Sequence, residues 1–117
     1  MMKFFALAAL LAAPVPALAE GFSPVREKSE FIGLINGKAL TRFGISLNVS
    51  PKGAIKGSAF GKTVTGNWNW NNGLFCRDMA FGSTDIPANC QLVERKGNDL
   101  RFTSDAGKGD SAVLRLK

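Results

Sequence analysis

From Lys38 to Lys117, apolar and polar residues alternate with a period of two, and this pattern constrains the fold more than any other feature. The stretch GISLNVS is an example, with Ile45, Leu47 and Val49 set between polar neighbours. Turn residues interrupt the alternation about every eight to twelve positions, as in antiparallel meanders and barrels. The runs predict about eight strands: ALTRF, GISLNVS, AIKGSAF, TVTGNWNW, LFCRDMAF, CQLVER, LRFTS and AVLRLK.

The predicted fold class is mainly β, a small antiparallel β-barrel or strongly bent sheet of about eight strands with one N-terminal α-helix. A sheet of this size curls and closes because open edges invite aggregation. The helix is predicted in EKSEFIGLING, residues 27–37, with Ser29 as N-cap and Gly37 as the stop. Its apolar face comprises Phe31, Ile32, Leu34 and Ile35. GSTDIPAN (82–89) and DAGKGD (105–110) are predicted as loops.

Residues 1–19 have the arrangement of a secretory signal peptide, with Lys3, an apolar run and the small-residue site Ala17-Leu18-Ala19. Cleavage before Glu20 leaves a single domain of residues 20–117, and the alternative is an uncleaved anchor. The apolar run is short and contains two prolines, so no membrane span is expected in the mature protein. The predicted localisation is periplasmic or secreted.

The predicted mature chain has a formal charge of +5, one less than the whole chain because Lys3 is removed. Such a charge favours acidic partners such as anionic lipid headgroups, polyanionic glycans or nucleic acid. The basic residues are scattered singly, so we expect a solvated surface and no specific nucleic-acid partner. Cys76 and Cys90 are the only cysteines, and in an oxidising compartment they are expected to form a disulfide.

The chain contains no histidine and no tyrosine. Ser-His and Cys-His nucleophile pairs, His-containing metal sites and the commonest general base are therefore excluded. Asp105 and Asp110 lie in one loop, but two carboxylates are too few for a calcium site. We expect no catalytic residues, no metal site and no cofactor.

The segment GKGDSA, residues 107–112, matches the relaxed glycine pattern of dinucleotide-binding loops. Such a loop follows a parallel strand and opens a helix whose N-terminus meets the pyrophosphate. Here only five residues follow Ala112, and they alternate as a strand. The segment is therefore predicted to be a hairpin loop.

Three longer segments resemble a family of small exported bacterial proteins, many of which carry the label dihydrodipicolinate reductase: LTRFGISLNVSPKGAIKGSAFG, GNWNWNNGLFCRD and LRFTSDAGKGDSAVLRLK. The resemblance covers nearly the whole predicted mature chain. The label implies a nicotinamide-dependent reduction in lysine biosynthesis. The reductase of that name has a dinucleotide fold, a histidine-bearing catalytic motif and a second domain. This chain has no histidine and no room for a parallel sheet, so we expect it not to catalyse that reaction.

The segment TVTGNWNWNNGLFCRDMAF predicts a hairpin whose register decides what faces the tryptophans. A two-residue turn at Asn72-Gly73 pairs Trp70 with Phe75 and Trp68 with Arg77, and it places a cation beside an indole. A three-residue loop that includes Asn71 instead brings Trp68 opposite Cys76, and the disulfide then lies in the core. We prefer the two-residue turn because it matches apolar positions with apolar positions.

The candidate ligand-binding residues are Trp68, Trp70 and Arg77, which suit a flat or anionic apolar ligand such as a fatty acid or an acidic glycan unit. The alternative is that both tryptophans belong to the core and Arg77 caps the barrel mouth. We expect a non-enzymatic module that binds a small ligand or an envelope protein, of unknown specificity. The rival hypothesis is a secreted hydrolase inhibitor that uses a mobile lead, EGFSPVREK, as a plug.

Overall fold

A computed structural model of the chain describes residues 21–117. The predicted signal peptide and its cleavage site lie outside the described residues. The helices and strands are, in chain order, β1 (Ser23–Pro24), α1 (Lys28–Ile35), β2 (Ala39–Arg42), β3 (Ile45–Val49), β4 (Ala54–Ala59), β5 (Lys62–Asn71), β6 (Leu74–Phe81), β7 (Thr84–Lys96), β8 (Asp99–Thr103), the single turn α2 (Ser104–Gly107) and β9 (Ser111–Leu116). No helix within this range is long and apolar enough to cross a membrane.

Strands β2 to β9 form a closed antiparallel barrel of eight strands, and β1 is one extra strand beside β7. Each strand from β2 to β8 pairs with the next one along the chain, and β9 closes the barrel by pairing with β2. The predicted mainly-β barrel with an N-terminal helix is confirmed. The alternation lets every strand turn its apolar side chains towards a common interior. Closure then pairs each strand on both sides along most of its length, so little strand edge is left open.

Small residues allow the barrel wall to curve at β4. Gly57 pairs with Leu47 on one side and with Val64 on the other. A Cβ atom at residue 57 would overlap the carbonyl oxygen of Ser46. The neighbouring backbone therefore approaches so closely that only glycine fits there.

The loop predicted for residues 82–89 is wrong, because most of this segment belongs to the long strand β7. Only Gly82 and Ser83 turn the chain, and the strand begins at Thr84. Proline cannot donate a backbone hydrogen bond, so Pro87 is unusual within a strand. The strand accommodates Pro87 in a β-bulge, where the β6–β7 register shifts between Arg77 and Met79. Bulges are among the few places where proline is tolerated within a sheet.

Helix α1 begins one residue earlier than the predicted cap, so the prediction of Ser29 as N-cap is wrong. Glu27 is the N-cap residue, and no side chain caps the helix there. The carbonyl oxygen of Glu27 accepts hydrogen bonds from the amides of Glu30 and Phe31. Phe31 and Ile35, one turn apart, are buried and define the face that meets the barrel.

The hairpin between β5 and β6 has the two-residue turn. Asn72 and Gly73 have φ values of 52° and 77°, the left-handed backbone that a type I′ turn requires at both positions. Trp68 accordingly pairs with Arg77. The preferred register is confirmed, and the three-residue alternative is wrong.

This register also fixes the side of the wall on which the disulfide lies. Cys76 pairs with Asn69, whose side chain faces opposite to its buried neighbour Trp68. Cys76 is directly opposite Cys90 in the β6–β7 ladder and is bonded to it. The predicted disulfide is confirmed, and it clamps two strands from outside the core.

Candidate functional site

The two ends of the barrel differ in what fills them. The β3–β4, β5–β6 and β7–β8 connections meet at the end that carries α1, which we call the closed end. The β2–β3, β4–β5, β6–β7 and β8–β9 connections meet at the opposite end, which we call the open end. This division follows from the up-and-down order of the strands, because alternate connections in such a barrel lie at alternate ends.

At the closed end, Phe31 of α1 enters a cluster of aromatic rings. Its ring centroid lies 5.1 Å from those of Trp70 and Phe75 and 5.3 Å from that of Trp68. Both indoles donate hydrogen bonds to backbone carbonyls, Trp68 Nε1 to Ser50 O at 2.8 Å and Trp70 Nε1 to Arg26 O at 3.0 Å. With their N–H groups satisfied, the tryptophans pack beneath the helix as part of the core.

The lead segment that precedes α1 is fixed to the barrel. Strand β1 pairs with β7, and Val25 N donates to Val93 O at 2.8 Å. The side chain of Val25 is fully buried. The ring of Phe22 lies under the guanidinium of Arg101, 4.3 Å from its central carbon. The lead is therefore paired along residues 22–25 rather than free.

The barrel interior contains a cavity of about 230 Å³, whose lining shares Phe75 and Phe102 with the aromatic cluster around Phe31. Its deep wall is buried and apolar, formed by side chains such as Leu40, Ile55 and Phe102. Leu47 and Leu114 also line it and are only half-buried, so the cavity is not fully enclosed. The complete lining is Leu40, Leu47, Val49, Ile55, Phe75, Arg77, Met79, Gln91, Phe102, Ala112 and Leu114.

Arg77 is the only charged residue of this lining. Its Nη1 donates a hydrogen bond of 2.9 Å to Pro87 O, the carbonyl of the bulge in β7. Burial lowers the pKa of the Arg77 guanidinium below its ordinary value, and the negative charge of Asp78 opposes that shift. Arginine keeps its proton nonetheless, so Arg77 holds an incompletely solvated positive charge at the cavity wall.

The predicted cation-π pair between Arg77 and Trp68 is wrong. The cation over the Trp68 ring is Lys28 of α1, with Nζ 5.9 Å from the ring centroid. Arg77 turns instead to the bulge carbonyl, which is free to accept because the ladder is interrupted there. The bulge could not be predicted from the sequence, and neither could this partner.

Of the three candidate ligand-binding residues, the structure brings only Arg77 to the cavity. Trp68 and Trp70 share its face of the hairpin but contact Phe31 of α1, Trp68 from the position directly opposite Arg77 and Trp70 from one nearer the closed end. Phe75 and Met79 are two residues before and after Arg77 in β6, so all three lie on the same face of the strand and line the cavity. Gln91 is the other polar lining residue, and its Nε2 donates to Ser104 Oγ at 3.2 Å. Sequence reasoning missed Gln91 because its register against Phe75 depends on the extent of β7.

The outer wall offers larger hollows that are less suited to a ligand. Hollows of about 530 and 440 Å³ lie along β4 to β7, and their linings mix exposed polar residues such as Asn67 and Asp78 with apolar ones. Trp68 and Arg77 both reach the smaller hollow. In the β8–β9 connection, Asp105 Oδ1 accepts from Asn89 Nδ2 and Asp105 N donates to Asn89 Oδ1, both at 2.8 Å. Within residues 21–117 no group of three or more acidic, histidine or cysteine residues could hold a metal ion.

The fold and cavity define a small closed barrel with one charged group in an apolar interior. No protein-family model, curated protein or solved structure matches the chain in comparisons of its sequence and fold.

Proposed function

We propose that this protein is a non-enzymatic binding module whose barrel holds a small apolar ligand with an anionic group. The observation that carries the proposal is the interior cavity of about 230 Å³, apolar except for Arg77 and Gln91. Ligand sites typically combine apolar walls with a few polar groups that fix orientation. An arginine whose charge is incompletely solvated gains more from an anion than a fully hydrated one would.

The size of the cavity limits the ligand. Engineered cavities of about 150 Å³ admit benzene, whereas drug-sized ligands occupy pockets of about 300 Å³ or more. A cavity of 230 Å³ falls between them. A medium-chain fatty acid fits both this volume and the charge at Arg77, with its tail against Leu40 and Ile55 and its carboxylate at the guanidinium.

We further propose that the protein works in the periplasm or after secretion. The predicted signal peptide supports this location, and the disulfide between Cys76 and Cys90 is of the kind that persists in oxidising compartments. The rival hypothesis, an inhibitor with a free N-terminal plug, loses its main support because residues 22–25 are paired with the barrel.

The proposal is tested by titration calorimetry of the oxidised protein with octanoate and with octanol. Arg77→Met should weaken octanoate binding about tenfold to a hundredfold, since hydrogen bonds to charged groups contribute about 1.5 to 3 kcal/mol. Octanol lacks the charge and should bind both proteins alike. Urea denaturation should show that Arg77→Met changes the free energy of unfolding by less than about 1 kcal/mol.

Lys56→Met is the matched control for this experiment. Lys56 is exposed on β4, beside the buried Ile55, and therefore projects from the outer wall. Its replacement removes one positive charge from the molecule but none from the cavity, so octanoate binding should be unchanged. Equal losses in Lys56→Met and Arg77→Met would mean that net charge, not the cavity, attracts the anion, and the proposal would be wrong.

A further inference from the structure

Three Phe-Gly pairs recur in the sequence, at residues 43–44, 60–61 and 81–82. Each pair lies in or next to one of the three successive two-residue turns at the open end of the barrel. We call Phe43, Phe60 and Phe81 the aromatic rim. Because the three turns join consecutive hairpins, the aromatic rim follows one side of the open end.

Two members of the aromatic rim are exposed to a degree that is unusual for phenylalanine. Phe43 is 92% exposed and Phe60 is 64% exposed. They are neighbours, because Phe60 N donates to Gly44 O at 2.7 Å and the Phe60 ring occupies the space that a side chain at residue 44 would need. Exposed phenylalanines on neighbouring turns indicate an interaction surface, whereas single scattered ones do not.

The backbone of Phe60 is in the left-handed region, with φ of 50°. This position of a hairpin turn favours asparagine, aspartate or glycine, and a bulky residue there is a genuine outlier. The ring gains little burial in return, since most of it faces solvent. Backbone strain that packing does not offset is characteristic of functional positions.

Positive charge accompanies the two exposed rings. Arg42 and Lys62 are both exposed. Arg42 directly precedes Phe43, and Lys62 follows Phe60 with one residue between them. Lys62 Nζ lies 5.4 Å from the centroid of the Phe81 ring. The acidic residues at this end, Asp85, Asp105 and Asp110, belong to the β6–β7 and β8–β9 sides instead. Apolar and basic character therefore coincide at the β2–β3 and β4–β5 turns.

We propose that this end of the barrel docks on the surface of an anionic lipid bilayer. Aromatic side chains prefer the membrane interface, and basic residues near it are attracted by anionic headgroups. Phe43 and Phe60 enter the interface while Arg42 and Lys62 meet the headgroups. The charge complementarity favours this occupant over a second copy of the chain, because two identical rims would oppose like charges. The inference does not require a ligand in the cavity.

The test is sedimentation of the protein with vesicles of phosphatidylcholine alone and of phosphatidylcholine with phosphatidylglycerol. The wild type should bind the mixed vesicles and bind the neutral ones weakly. Arg42→Gln and Lys62→Gln should each lower the affinity for mixed vesicles about fivefold, since one basic residue near such a surface contributes about that factor. The double variant Phe43→Ser/Phe60→Asn should lower it by more than about tenfold.

Three controls separate the proposal from its alternatives. Val113→Ser removes the other exposed large apolar side chain of the described residues, on the wall in β9, and should leave vesicle binding unchanged. Thermal unfolding should show that the double variant is folded. Arg77→Met should also bind vesicles normally, so that failure of the ligand proposal and failure of this one are distinguishable.

Orientation provides an independent measurement. In Phe43→Trp, brominated lipids in the mixed vesicles should quench the added indole more than they quench the wild-type protein, whose Trp68 and Trp70 are at the closed end. Equal quenching in both proteins, or vesicle binding unaffected by the double variant, would overturn the proposal. So would concentration-dependent dimers in sedimentation velocity that the double variant abolishes, because the rim would then serve a second copy.

Discussion

The closed end and the open end are built by the same eight strands with the same inward alternation, yet only the closed end is packed around a helix, and a cavity remains in the interior beyond its aromatic cluster. At the closed end α1 supplies Phe31, which is fully buried among aromatic rings. The open end has only the single turn α2 in the β8–β9 connection, none of whose residues is buried, and Phe43 at the β2–β3 turn faces solvent. The interior of an eight-stranded barrel is just wide enough for side chains to fill it or for one small ligand. Here Phe31 of α1 fills part of that interior, and the part beyond it is available for binding.

The largest expected effect comes from truncating one phenylalanine at each end. Phe31→Ala should lower the free energy of unfolding by about 3 to 5 kcal/mol, because it removes a buried ring and leaves a void under α1. Phe43→Ala should change it by less than about 0.5 kcal/mol. Urea denaturation of both variants measures the difference. Similar losses would show that the two ends are not distinct in packing.

The second prediction concerns the wall that both ends share. Replacing Cys76 and Cys90 by alanine opens a loop with a sequence separation of 14 residues. It should lower the free energy of unfolding by about 3 kcal/mol, mainly because the unfolded chain gains freedom. Reduction of the wild type should reproduce this loss, measured by urea denaturation with and without reductant. A loss confined to the reduced wild type would contradict the chain-entropy explanation.

The third prediction enlarges a side chain at each end. Val25→Leu should lower the free energy of unfolding by about 1 to 3 kcal/mol, because Val25 is fully buried beside β7 and has no room to grow. The side chain introduced by Ala112→Leu has the cavity to grow into, so this variant should lower the free energy of unfolding by less than about 1 kcal/mol. It should also abolish octanoate binding. If Ala112→Leu destabilises as much as Val25→Leu, the interior at the open end is already filled.

The strands and the β5–β6 register could be predicted because they depend on local pattern. Alternation identifies the inward face, and Asn72-Gly73 specifies a two-residue turn. Whether the helix or the cavity meets an inward-facing side chain has no such signal. Trp68 and Arg77 share a face and a ladder pair, yet Trp68 packs under the helix and Arg77 lines the cavity. Which side chains the helix covers is decided by tertiary packing, which one sequence does not encode locally.

The extent of β7 could not be predicted for a related reason. Pro87 breaks the local rule for a strand, and only the neighbouring β6 with its bulge makes it acceptable. The cavity itself could not be predicted, because its lining comes from strands distant in the chain. Arg77 on β6 meets Leu40 on β2 and Leu114 on β9 only after the barrel closes.

The smallest expected effect is a gain of stability at the open end. Phe60→Asn should raise the free energy of unfolding by about 0.5 to 1 kcal/mol, because asparagine tolerates the left-handed backbone that strains phenylalanine. Phe43→Asn is the matched control, since Phe43 is more exposed but has no positive φ. It should give no gain in the same urea denaturation. Equal gains at both positions would attribute the effect to removal of an exposed ring rather than to strain. A gain at Phe60 alone would mean that the native residue is kept at a cost to stability, which is expected when a position serves binding rather than folding.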